Sequence, residues 1–104
     1  MNRMAATKAL EQDVNASMRA GDTEAISTKV DAFIEKYSLE GLEKQQILGM
    51  KINPYLNAKK FDEATAVLDA IIEAGPDTPI GKRAEGFKPR VEDLRKKAEA
   101  GGAE

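Results

Sequence analysis

An enzyme built on this chain would have to work with carboxylates, lysines, tyrosines and hydroxyls. Its 104 residues contain no His, Cys or Trp. That removes the imidazole base, the thiolate nucleophile, the disulfide framework and the usual zinc ligands. The carboxylate pairs that remain are Asp62-Glu63, Glu92-Asp93 and Glu40/Glu43. Two carboxyl groups whose surroundings push their pKa values apart can serve as acid and base, but only in a cleft that buries them. In a chain that is 33% charged, such pairs are the ordinary content of solvated helix faces. No glycine-rich phosphate loop follows a strand, because no strand is evident. The expectation is a protein without catalytic residues, cofactor or metal.

Charge excludes further classes. Sixteen basic residues stand against eighteen acidic ones, a net of −2 with no sustained block of one sign. Bulk attraction to nucleic acid or to anionic lipid is therefore not expected. Residues 1 to 78 hold nine Lys/Arg and thirteen Asp/Glu, whereas residues 79 to 104 hold seven and five, so an acidic body precedes a basic tail. No apolar run approaches the roughly 20 residues a membrane span needs, and Met1 to Ala6 carry no signal-peptide core. The chain reads as soluble, either cytoplasmic or, if an export signal has been removed, periplasmic. Of its apolar residues, sixteen are alanine, which leaves a thin core suited to helices stacked around small side chains.

The elements that would position any site follow from an internal echo at a separation of 38 residues. Val30-Asp31-Ala32-Phe33-Ile34-Glu35 reads against Leu68-Asp69-Ala70-Ile71-Ile72-Glu73, with four identities and two apolar swaps. Upstream, Leu10, Val14 and Met18 fall on Leu48, Ile52 and Leu56, a helical ladder of spacing four. Asn15 falls on Asn53 and Ala20 on Ala58. A period between 20 and 50 residues marks an architecture in which one supersecondary unit stacks on its copy.

Each copy divides into two helices. The first helix spans about residues 3 to 20 and runs into Gly21, a left-handed cap, after which Asp22 or Thr23 caps a helix lasting to about Tyr37. The third spans about Leu39 to Lys59, with Pro54 predicting a kink through its missing N–H and its clash with the carbonyl of Met50. After a turn near Lys60 and Phe61, Asp62 opens a helix that Gly75-Pro76 stops. Thr78-Pro79 then starts a fifth helix to about Ala100, whose seam is Ile80, Ala84, Phe87, Val91, Leu94 and Ala98. Pro89 lies opposite that seam. Gly101 to Glu104 are expected to fray as a flexible tail.

Two helix pairs followed by a lone amphipathic helix resemble tetratricopeptide repeats with a capping helix. Tyr55, Phe61, Ala64, Leu68 and Pro76 stand where that family places a tyrosine, an aromatic at the turn, a small residue, a large apolar residue and the closing proline. Ile52 departs from the family's glycine, Ile71 from its small residue, and the 38-residue period from the usual 34. The first pair retains Leu10, Gly21 and its apolar spacing. The resemblance implies an all-α fold of about two antiparallel helix-hairpin units (about 3–37 and 39–75) with a C-terminal cap (about 79–100). It also implies a groove lined by Lys8, Gln12, Asn15 and Arg19 in the first unit and Asn53 and Asn57 in the second. Asparagine can donate to and accept from an extended peptide backbone, and the two cations can receive a carboxylate. Glu11 sits where carboxylate-binding members tend to place a cation, which argues against that specialised use.

The last helix offers a second surface. Arg83, Arg90 and Lys97 flank one side of its seam, Lys88 and Arg95 the other, and Glu85, Glu92 and Glu99 form a stripe further round. A parallel self-pair would set like charges across the interface, so the seam is expected to meet the acidic preceding pair or an acidic partner. The leading expectation is a non-catalytic module mediating protein–protein contact, its partner a protein, a peptide or an adjacent domain of the same polypeptide. Extensions of this type are similar to those beside thioredoxin-like domains of exported bacterial proteins. The alternative is an obligate homo-oligomeric structural module, with a homodimer as its simplest form.

Overall fold

The computed structural model describes residues 3–102. Over that span the protein is all-α. Its helices are α1 (Arg3–Arg19), α2 (Thr23–Lys36), α3 (Gly41–Leu48), α4 (Ile52–Asn57), α5 (Phe61–Ala74) and α6 (Pro79–Gly102), with a 3-10 turn at Gly49–Lys51 and no strand among the described residues. Successive helices run antiparallel, with α3, the 3-10 turn and α4 acting as one rod. Late in α1, Ser17 Oγ accepts from Lys29 Nζ at the middle of α2 at 3.2 Å. On α5 and α6, Asp69 pairs with Lys88 and Asp62 with Arg95, so their numbers run in opposite directions. The Cα atoms fill a slab of 51 × 34 × 15 Å, the thickness of two helix layers, since the Cα cylinder of a helix is about 4.6 Å across and packed axes lie about 8–10 Å apart.

The reversals are set by left-handed residues. After α1, Gly21 (φ +73°) donates to Met18 O at 3.0 Å and Asp22 N donates to Ser17 O at 2.9 Å, the Schellman pattern that satisfies a helix's last carbonyls. Asp22, rather than Thr23, caps α2, its Oδ1 accepting from Ala25 N at 3.0 Å. Thirty-eight residues on, Lys59 N donates to Leu56 O at 3.0 Å and Lys60 N to Tyr55 O at 2.8 Å. Here the left-handed position falls to Lys59 (φ +60°), at a cost of about 1–2 kcal/mol for a residue with a Cβ. Lys60 (φ −93°, ψ 70°) matches Asp22 (φ −94°, ψ 81°) as the residue before the next helix. For that reason α5 opens at Phe61, one residue ahead of the expected Asp62.

The third helix departs further from expectation. Ser38 (φ +49°) closes α2, and Leu39, expected inside a helix, is buried at 5% exposure in the connection. Helix α3 starts only at Gly41 and yields to the 3-10 turn after Leu48. The kink expected from Pro54 takes this form. Proline supplies no N–H to the Met50 carbonyl and crowds it, and the backbone responds by tightening one turn while staying right-handed, with φ −58° at Gly49 and −65° at Ile52.

Two apolar clusters hold the slab together. The first gathers Leu10, Val14, Ile26, Val30, Phe33, Leu39 and Ile47; the second gathers Leu48, Ala64, Val67, Leu68, Ile71, Ala84 and Val91; Ile34 packs against both. Burying each large aliphatic side chain contributes about 1.5–3 kcal/mol. Lys51 is buried with its ammonium 2.6 Å from Asp31, and Lys88 stands 2.6 Å from Asp69. A lysine of the following helix thus reaches the aspartate that both halves of the echo share.

Polar groups fix the entry to α6. Gln45, fully buried, donates from Nε2 to Ile71 O at 2.8 Å and to Gly75 O at 2.9 Å, the second carbonyl also accepting from Thr78 N at 3.2 Å. Thr78 Oγ1 lies 2.9 Å from Gln45 Oε1 and 2.8 Å from Gly75 O, and accepts from Gly81 N at 2.9 Å, capping α6 as the sequence predicts. Beyond this point α6 corrects two expectations. Leu94 is not part of the buried seam but 41% exposed, while Lys88 and Arg95 reach Asp69 and Asp62 of α5. The helix also continues through Gly101 to Gly102. The rest of the expected flexible tail, Ala103-Glu104, lies outside the described residues, as do Met1 and Asn2.

Candidate functional site

The first rod of each hairpin and α6 form a row, and the spaces between them make a shallow trough. Between α1 and the α3–α4 rod lies a cavity of about 270 Å³ lined by Glu11, Asn15, Met18, Gly49, Met50 and Asn53, among others. Between that rod and α6 lies one of about 360 Å³ lined by Gln46, Gly49, Ile52, Asn53, Ile80, Arg83 and Phe87, among others. Gly49 and Asn53 belong to both, so the two spaces adjoin. The spacing of four in α1 and α4 explains the placement: Val14 is buried against the α1–α2 hairpin, which leaves its neighbour Asn15 exposed on the flank facing the second rod. Gly49, having no side chain, keeps the floor open, since a Cβ there would meet nothing within 4 Å.

The six residues expected in the groove divide. Asn15 and Asn53 are exposed and share the first cavity. Asn57 lies one turn further, in an adjoining cavity of about 220 Å³ with Met18 and Pro54. Its Nδ2 stands 3.8 Å from Met18 Sδ. Lys8, Gln12 and Arg19 are exposed on α1 but are not among the residues lining these cavities. Helical geometry gives the reason: at about 100° per residue, positions 8, 12 and 19 centre about 90° around α1 from the centre of 11, 14, 15 and 18 that the second rod faces, with Asn15 at the edge between them. Glu11, rather than either of the expected cations Lys8 and Arg19, therefore stands at the trough. Gln46, Arg83 and Phe87 were missed as trough residues. Phe87 and Arg83 were visible as a seam residue and a flank residue of α6, but only the lateral packing of α6 brings them opposite Asn53.

The carboxylate pairs acquire no burying cleft. Every described Asp and Glu is exposed except Glu92, which is half-buried. Glu43 is held by Arg3 at 2.8 Å, Asp62 lies 3.7 Å from Arg95, and Glu92 pairs with Arg95. The hydrogen bond and charge of Glu92 raise the Arg95 guanidinium above its ordinary pKa, so it stays cationic at every accessible pH. A wider cleft of about 450 Å³ between Lys59–Glu63 and the far end of α6 is lined by Lys59, Lys60 and Arg95 against Asp62, Glu63 and Glu99. This balance of three cations and three anions gives it no preference for a charged ligand. Among the described residues no group of three or more His, Cys, Asp or Glu could hold a metal ion, and no helix is long and apolar enough to cross a membrane. No family model matches the chain, and neither a curated protein nor a solved structure matches it at a significant level.

Proposed function

We propose that this protein is a non-catalytic, tetratricopeptide-like helical-repeat module that holds an extended segment of a partner protein in the trough crossed by Asn15 and Asn53. The observation that carries the reading is their shared cavity: two exposed amides, 38 positions apart in sequence, that border one channel. A carboxamide offers both a donor and an acceptor, the complement of a peptide bond, and successive amides along a trough can satisfy an extended backbone irrespective of its sequence. The apolar stretch with Ile52, Ile80 and Phe87 supplies side-chain contact beside them.

The repeat reading draws support from the matched turns at Gly21 and Lys59 and from α2 and α5, both 14 residues long. The non-catalytic reading draws support from the exposure of the carboxylates. The test is a displayed library of random peptides selected on the immobilised protein. Asn15→Ala/Asn53→Ala leaves the helical circular dichroism unchanged and is expected to lose the enriched peptides, whereas equal enrichment on parent and variant rejects the trough.

A further inference from the structure

Helix α6 shows how it receives another helix, and it carries a second set of the same cations with no helix on them. On the flank facing α5, Lys88 and Arg95 are seven residues apart and pair with Asp69 and Asp62, also seven apart, on the antiparallel neighbour. Seven residues are two turns, about 10.5 Å, so the charges fall in register along both axes. The other flank repeats the spacing at Arg83, Arg90 and Lys97. All three are exposed, and among the described residues none of them forms an ion pair. Apolar surface lies between them: Leu94 is 41% exposed, and Phe87 is half-buried with the Arg90 guanidinium 6.0 Å from its ring centroid. Asp93 lies within one turn of both Arg90 and Lys97, on the solvent side, without an ion pair to either.

We infer that the Arg83–Arg90–Lys97 flank of α6 docks an acidic amphipathic helix of another protein, with carboxylates at seven-residue intervals and an apolar stripe between them, antiparallel to α6 as α5 is. Charge complementarity commits the occupant: three cations in a row repel a basic or a like-charged copy of α6 and select acids at the matching interval. The arrangement extends beyond the peptide trough, which it touches at Arg83 and Phe87, and it does not rest on the trough reading.

The probe is a labelled, helix-stapled peptide of the sequence Phe61–Ala74, which carries the acids of α5 at positions 62 and 69. Titrated with the intact protein, it is expected to bind saturably, and to weaken about ten-fold or more as salt shortens the screening length from roughly 10 Å toward 3 Å. Arg90→Glu/Lys97→Glu, at exposed positions, keeps the helical spectrum and is expected to weaken binding about ten-fold or more, whereas Asn15→Ala/Asn53→Ala leaves it unchanged. Absence of binding, or equal affinity for the charge-reversed protein, overturns the inference. So does a sedimentation profile in which the protein alone dimerises and Arg90→Glu/Lys97→Glu dissociates it, since the occupant is then a second copy.

Discussion

The same substitution in the same helix is expected to act with opposite sign at Gly81 and at Gly86. A Cβ on Gly81 would stand 2.0 Å from Gly75 O, 3.0 Å from Gly75 C and 3.2 Å from Pro76 Cα. All three are backbone atoms, which cannot swing aside as a side-chain tip does. Restoring an ordinary carbon–oxygen distance of about 3.3 Å moves the start of α6 by more than an ångström. That shift opens the Gly81 N–Thr78 Oγ1 cap and disturbs the Gln45–Gly75 bond. Overpacking of about 1–3 kcal/mol and a lost cap of about 1 kcal/mol sum to about 2–4 kcal/mol. A Cβ on Gly86 meets nothing within 4 Å, and alanine in a helix interior gains about 0.5–1 kcal/mol over glycine. Urea unfolding followed by far-ultraviolet circular dichroism reads both. With m about 1–1.5 kcal/mol/M, Gly81→Ala lowers the midpoint by roughly 2–3 M and Gly86→Ala raises it by roughly 0.5 M. A Gly81→Ala midpoint at or above the parent refutes the close approach of α6 to the Gly75 carbonyl.

Three further perturbations read other parts of the fold. Gln45→Leu keeps the volume but strips the Ile71 carbonyl of its amide partner, while the Gly75 carbonyl keeps Thr78 N and Thr78 Oγ1, and is expected to cost about 1–3 kcal/mol in the same urea assay; a loss under about 0.5 kcal/mol would mean the network carries no weight. Lys59→Gly relieves the left-handed lysine and raises stability by about 0.5–1 kcal/mol, whereas Gly21→Ala lowers it by about 1 kcal/mol; a thermal midpoint that moves the other way in either variant contradicts the shared turn geometry. Asp31→Ala leaves the Lys51 ammonium without its counter-charge and costs about 1–2 kcal/mol, less than a fully buried pair because Asp31 is 60% exposed. Lys51→Met, which keeps the stem and removes the charge, is expected to be near neutral, and a loss equal to that of Asp31→Ala would show that the ion pair itself, not relief of an unpaired ammonium, stabilises the fold.

How legible the protein was in its sequence varies with the range of the interactions. The caps at Gly21, Asp22 and Thr78 and the stop at Gly75-Pro76 rest on backbone preferences acting over three or four residues, so they could be read locally. The left-handed Lys59 carries no such mark. Only the offset of 38 from Gly21 points to it, and the tertiary packing of α4 on α5 holds it there. Leu94 is a similar case: its spacing fits the seam, but the tilt of α6 toward Asp62 and Asp69 turns it outward and brings Arg95 and Lys88 in.

The all-α character and the shortage of acid–base groups were determined by the sequence alone, because helical periodicity, capping and residue type are properties of short stretches of chain. The tertiary structure decided which exposed residues share a surface. Asn15 and Asn53 came to border one cavity while Lys8, Gln12 and Arg19 did not, and Arg83 and Phe87 joined them from 30 residues or more away in sequence. Rotation of each helix about its axis is fixed by how buried side chains of different helices interlock, and each residue turns the face by about 100°.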